Sequence, residues 1–210
     1  MLADLPKNGP TDPIEYYRRP LIGKLFRERI NRGLRLVPER RYTRVLEVGY
    51  GAGAVQLALG RGVDELHGID LDADPALVTP FLAAHGQQSK LVRGSVYELP
   101  YDRAFFDLVV CFSVFEHLSE YPRALSEVAR VLRPGGLFLL GMPSVNKGMD
   151  VAFRMIGFKN IDDHHITTPR MVSDRFAGAG FRVARAHHLD LPLRWPAGLR
   201  LYYNWLLELR

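Results

Sequence analysis

A chain of 210 residues, 47% hydrophobic and 24% charged, is long enough for one well-cored globular domain with a small appendage. Its single cysteine, Cys111, excludes an internal disulfide framework, and no apolar run approaches the roughly 20 residues that span a bilayer. The net charge of +5 is unevenly placed, because residues 18–44 hold ten Lys or Arg against two acids and the remainder is weakly acidic. A basic stretch of this kind suits a solvated helix face or an anionic partner. No zinc-ligand spacing, RNA-binding aromatic signature or helix-turn-helix pattern accompanies it, so nucleic acid is not expected. Residues 1–20 are polar and proline-rich without an apolar signal core, and a cytoplasmic location is expected.

In chain order, residues 1–12 read as a loose leader, and Pro13 suits a first turn that Pro20 interrupts. Leu21, Ile22, Leu25, Phe26, Ile30 and Leu34 then recur at helical spacing, with Lys24, Arg27, Arg29, Arg32 and Arg35 opposite. This predicts an amphipathic surface helix that Pro38 ends. Val45, Leu46 and Val48 suit a buried strand, Ala52–Leu59 a short helix, and Leu66–Ile69 the next strand. Asp74 and Pro75 open a helix that Gly86 stops, and Ser89–Arg93 is a third strand. The run FDLVVCF (Phe106–Phe112) is a fourth strand and Pro122 opens a helix. LRPGG turns into a fifth strand at Leu137–Leu140. Residues 142–168 form a long, weakly patterned connection of the kind that serves as a lid. Thr168 and Pro169 start another helix, and Phe181–His187 is a strand. Strands alternating with helices in this way predict an α/β, doubly wound, mostly parallel sheet with helices on both faces.

The stretch that organises the chain is RVLEVGYGAGAVQLALGRGVDELHGIDLD, Arg44–Asp72. Gly49, Gly51 and Gly53 follow the first strand at alternate positions, where a turn into a helix needs residues without Cβ. Asp70 ends the second strand 21 positions after Gly49, the spacing that presents a carboxylate to a ribose. Gly49, Gly51 and Ala54 also satisfy the G-x-G-x-x-A dinucleotide pattern, so an NAD-type oxidoreductase is a distant alternative. Glu47 argues against it, since an acid beside a phosphate site is unfavourable. The turn carries no Lys or Arg to neutralise a pyrophosphate. A carboxylate there suits a ligand with an amino group and a sulfonium.

Six collinear segments, LEVGYGAG, GIDLD, RGSVYELPY, FDLVVCFSVFEHL, ARVLRPGGLFLLGMPS and TTPRMVSDRFAGAGFRV, make the chain resemble class I S-adenosylmethionine-dependent methyltransferases. The likeness is to the broad small-molecule branch (methyltransferase type 11) that includes ubiquinone-type O-methyltransferases, and it runs from about Arg44 to Leu189. It implies a seven-stranded, Rossmann-like methyltransferase fold with S-adenosyl-L-methionine as cofactor and S-adenosyl-L-homocysteine as product. By the same likeness, Glu47 with the backbone of Gly49, Tyr50, Gly51 and Gly53 holds the methionine moiety. Asp70 binds both ribose hydroxyls, and Leu71 packs on the adenine. Ser95 and Val96 lie at the adenine edge, and Phe112 at the methionine end. Ser95 stands where the family usually has Asp, and Tyr50 where a small residue or Cys is common.

Glu116 and His117 follow the fourth strand, where the family pattern carries an acid–His pair near the acceptor. They are candidate catalytic residues, and His165, beside His164 in the long connection, is the next. His67, His85, His187 and His188 read as strand-end or surface residues. No metal-ligand spacing links these groups, so no metal is expected. The segment Leu193–Arg210 is dense in Trp, Tyr and Leu and reads as a helix from about Ala197. It suits packing on the body or on a subunit partner. With the basic N-terminal helix it also suits peripheral contact with the inner face of a membrane. Three regions are expected: a leader and basic helix at 1–43, a methyltransferase core at 44–190, and a C-terminal helical segment at 191–210. The expected function is methyl transfer to a small or lipophilic acceptor; a non-catalytic scaffold or partner subunit of the same fold is the alternative.

Overall fold

The strand Phe106–Phe112 (β4) has every residue buried, and from Leu108 on its side chains alternate between the two layers that flank the sheet. Phe106, Val109 and Cys111 enter one core cluster, and Leu108, Val110 and Phe112 the other. The computed structural model describes residues 5–8, 20–144, 165–190 and 200–210, and the architecture below concerns these residues. The turn expected at Pro13, most of the 142–168 connection with His164, and residues 191–199 lie outside them.

Seven strands form one sheet. They are β1 (Tyr42–Val48), β2 (Val63–Asp70), β3 (Lys90–Arg93), β4, β5 (Leu132–Pro143), β6 (Phe181–Asp190) and β7 (Arg200–Leu209). The strand order is β3-β2-β1-β4-β5-β7-β6. The first five run parallel, with Val48 opposite both Ile69 and Cys111, while β7 is antiparallel to β5 and β6. The order reverses between β1 and β4, and ligands of such sheets bind beyond the strand ends at that point.

Five helices accompany the sheet: α1 (Pro20–Leu34), α2 (Ala54–Leu59), α3 (Pro75–Ala84), α4 (Tyr121–Val131) and α5 (Pro169–Ser173). α1 covers one face, with Leu25, Ile30 and Leu34 packed against Leu108, Val110 and Leu139. α4 covers the other, burying Leu125, Val128 and Val131 against Val109, Phe138 and Leu140. α3 begins as expected, with the Asp74 carboxylate accepting from the Ala76 N–H and Pro75 at the first helical position. LRPGG falls inside β5. Pairing jumps from Phe106–Leu132 to Leu108–Leu137, and residues 133–136 form an excursion with Gly135 at φ +72°.

The C-terminal segment departs from expectation. Residues 200–209 are a strand, not a helix, inserted between β5 and β6. Leu201, Tyr202, Trp205, Leu206 and Leu207 are buried there, so the aromatic tail belongs to the core and the sheet runs to Leu209 instead of ending at 190. A strand covered on both faces is apolar at successive positions, and such a run fits helical and extended periods alike. His67 also differs from the strand-end or surface position expected. It is buried inside β2, edge-on to Tyr101, Phe105 and Phe106. Among the described residues no helix is long and apolar enough to cross a membrane.

Candidate functional site

The glycine turn after β1 lies at the switch point. Gly49 (φ +81°) and Gly53 (φ +86°) occupy left-handed backbone, and a Cβ on Gly49 would lie 2.4 Å from a Val114 methyl. Gly51 (φ +47°) has nothing within 4 Å of where its Cβ would be, which leaves an open cradle at the middle of the turn. Its N–H donates to the Asp70 carboxylate at 2.9 Å, and Asp70 also accepts from Asp72 and Ala73 N–H. Three backbone donors thus fix the Asp70 carboxylate against the turn. Asn8 crosses the same place, donating to the Gly51 carbonyl and accepting from the Asp74 N–H.

Glu47, at the end of β1, is 2% exposed. The Gln56 amide of α2 donates to it at 2.7 Å and also to the His67 carbonyl at 3.2 Å. Burial lifts its pKa to about 8; the Gln56 hydrogen bond opposes the shift and the Asp70 charge adds to it. A carboxylate held this far from water is poised to gain from a cationic ligand group. The residues present thus fit the expected cofactor: a buried acid suits an ammonium, the turn is open where a Gly51 Cβ would be, and a second acid suits ribose hydroxyls.

The remaining expected cofactor residues are distributed unevenly. Leu71 is 62% exposed beside Asp70, an apolar side chain left at the position expected to cover an adenine. Tyr50 is buried against Ala73, Val78 and Leu82, with its hydroxyl on the Ala73 carbonyl, so its side chain braces the turn from behind. Val96 and Phe112 both have buried side chains, which leaves their backbone for any ligand contact. The Phe112 ring lies against Gly33 of α1 and Gly141 of β5, where an added Cβ would meet it at 2.7 and 2.3 Å. The Ser95 hydroxyl accepts from the Tyr97 N–H at 3.2 Å.

On the other side of β4 the structure brings the three candidate catalytic residues together. Glu116 and His117 lie in a 3-10 turn at Phe115–His117, and the segment that carries His165 docks onto it. Ile166 and Thr167 N–H both donate to the Glu116 carbonyl, and the Thr167 hydroxyl donates to the Leu118 carbonyl at 2.6 Å. The His117 and His165 rings lie 5.2 Å apart. Glu116 is 1% exposed, and burial lifts its pKa to about 8 against the pull of its own backbone, Arg29 and Ser113.

Four more residues at this edge are joined by no spacing motif in the sequence. Ser113, directly after β4, holds φ +57°, unusual for a residue with a side chain. Its hydroxyl accepts from Arg29 of α1 at 3.0 Å and shares a hydrogen bond with the Tyr202 hydroxyl at 2.9 Å. The Arg29 guanidinium lies over the Tyr202 ring, and the Asn204 amide donates to the Arg29 carbonyl. α1 is thereby tied to the ends of β4 and β7. The only hint in the sequence was the basic face of α1.

A parallel sheet of this order, closed by an antiparallel β7, with a glycine turn and an acid at the switch point, defines the class I methyltransferase fold. The comparisons agree. Residues 46–140 match the methyltransferase domain family. An uncharacterized methyltransferase, YcgJ of Bacillus subtilis, is 35% identical over 99 residues, covering 46% of this chain and 39% of that protein. Its crystal structure superposes with a TM-score of 0.65 at 17% identity, covering 87% of this chain and 96% of that one. A demethylmenaquinone methyltransferase of Staphylococcus aureus is 32% identical over 117 residues, covering 54% of this chain and 47% of that protein. The crystal structure of PH0226 from Pyrococcus horikoshii superposes with a TM-score of 0.72 at 16% identity, covering 93% and 99%. The matched segment thus spans about two fifths to one half of the length of the curated relatives.

Proposed function

We propose that this protein transfers a methyl group from S-adenosyl-L-methionine to a small or lipophilic acceptor. The observation that carries the reading is the pairing of a buried Glu47 with the glycine turn, open at the Gly51 Cβ position, and the pre-aimed Asp70 at the switch point. When bound, the cofactor supplies a methyl group on a sulfonium, open to displacement by a nucleophile. Glu47 would hold the ammonium of the methionine moiety, Asp70 the ribose hydroxyls, and Leu71 a face of the adenine. The protein's remaining work is alignment and exclusion of water. Phe112, wedged between Gly33 and Gly141, fixes the end of β4, where methionine end and acceptor would meet. Glu116, His117 and His165 are the titratable groups beyond it, and activation of the acceptor falls to them.

Isothermal titration of the full chain with S-adenosylhomocysteine tests this reading, and absence of binding overturns it. Asp70→Asn keeps the size of the side chain but removes the charged acceptor, and about a tenfold weaker affinity is expected. The opposite change is expected at Ser95. An Asp there would add a charged acceptor at the adenine edge, and Ser95→Asp should tighten binding about fivefold. Unchanged affinity in that variant would remove Ser95 from the adenine contact.

A further inference from the structure

We propose that Glu116, His117 and His165 form a binding site for a divalent first-row transition-metal ion on the acceptor side of β4. Their ligand atoms, one carboxylate oxygen and two imidazole nitrogens, all lie within 4.8 Å of one another. A tetrahedral ion at about 2.1 Å from each sets its ligand atoms about 3.4 Å apart, so binding draws the three groups together by up to about 1.4 Å, a movement that rotation of the exposed His117 and the half-buried His165 side chains supplies. The two halves of the site are far apart in the sequence, so chance proximity along the chain does not account for it. The two backbone bonds to the Glu116 carbonyl and the Thr167–Leu118 bond, which joins positions 49 apart, hold the halves in place.

A second observation points the same way. The Glu116 Oε2 atom is buried and has no hydrogen-bond partner among the described residues. A buried carboxylate oxygen without a donor is costly, and a coordinated cation is one of the few groups that removes the cost. The donor set narrows the ion. Two imidazoles with one carboxylate suit zinc, iron, cobalt or nickel, whereas magnesium and calcium prefer all-oxygen surroundings. Three protein ligands leave positions open for water and a substrate atom, the arrangement of a catalytic site and not of a structural one.

This deepens the methyltransferase reading and rests on it for the role of the ion. An acceptor hydroxyl oxygen on the ion would lose its proton to solvent near neutral pH. The oxygen then bonds to the methyl carbon as the carbon–sulfur bond breaks, and the electron pair stays on sulfur. The acceptor class this implies is a hydroxyl-bearing molecule, methylated on oxygen.

The test uses the untagged 210-residue chain, stripped with chelator and titrated with cobalt(II), followed by visible absorption. One equivalent is expected to bind with the d–d spectrum of a nitrogen–oxygen site. Zinc should displace it, and excess magnesium should not. His117→Ala and His165→Ala, both outside the core, should each weaken cobalt binding at least tenfold, and Glu116→Gln likewise. No cobalt spectrum, or one unchanged in the double His variant, overturns the proposal. S-adenosylhomocysteine binding is titrated on the same stripped protein. Its presence without a cobalt site sinks the metal alone, and its absence with an intact cobalt site sinks the methyltransferase reading alone.

Discussion

Glu47→Gln is expected to weaken S-adenosylhomocysteine binding at least 100-fold at pH 7.5 and to remove its dependence on pH. The wild-type carboxyl is 2% exposed and titrates near 8, chiefly because burial penalises its charge. In the ligand-free protein at pH 7 it is therefore mostly protonated. The ammonium of the ligand favours the ionised form, so binding expels a proton. Affinity should rise between pH 6 and 7.5 with a slope approaching one log unit per pH unit, while the ligand's own amino group stays charged. Glutamine cannot ionise, and breaking a charge pair in so dry a place costs about 3 kcal/mol or more. Calorimetry in two buffers of different ionisation enthalpy measures the proton released, expected to approach one at pH 7 in the wild type and to be zero in the variant. The same shift acts on the ligand-free fold with a definite sign. A carboxyl whose folded pKa is raised contributes stability fully present below about pH 4, lost progressively as pH rises toward 8. Glu116, also raised to about 8, adds to that decline. A flat affinity profile in the wild type, or an unchanged slope in Glu47→Gln, would refute the assignment of Glu47 to the ammonium.

The part of the site around Glu47 was legible in the sequence because it is local. Glu47, Gly49, Gly51 and Asp70 fall within one βαβ unit, where spacing alone dictates what meets. β4 was equally plain, a continuous apolar run from Phe106 to Phe112 whose predicted and observed ends coincide. The strand β7 was not, because its placement depends on partners instead of its own pattern. Tyr202 and Trp205 are buried by pairing with Pro143 and Leu140 of β5, and nothing in LYYNWLLEL announces that register. Glu116, His117 and His165 could be named one by one as candidates. Their assembly could not, since it is made by the backbone bonds of Ile166 and Thr167 and by no spacing motif. The Arg29–Ser113–Tyr202 network lay beyond sequence reasoning for the same reason. It joins three segments more than 80 positions apart through one hydroxyl, on a residue whose backbone strain is invisible in its identity.

Asp107→Ala is expected to cost about 2–4 kcal/mol of stability and to lower the melting temperature by about 10 °C, with little change in cofactor affinity. The β1–β4 ladder begins at Val45 and Leu108, and the Thr43 and Arg44 N–H groups lie just before it on β1. The Asp107 carboxylate takes both, and Arg133 closes on its other oxygen. The buried Asp107 side chain thus ties the start of β1 to β4 ahead of the ladder. Alanine removes the acceptor of both N–H bonds and the partner of Arg133, each a cost in the same direction. Asp107→Asn keeps an acceptor oxygen and should lose roughly half as much. Arg133→Met should lose less still, because that guanidinium is about half exposed and its charge is easily hydrated. Urea denaturation of the three variants gives the order. Equal losses for Asp107→Ala and Arg133→Met would show that the ion pair, and not the backbone bonds, carries the effect. Affinity for S-adenosylhomocysteine is the control that separates stability from function. Asp107 serves the opposite end of β1 from Glu47, so folded Asp107→Ala protein should bind the ligand as the wild type does.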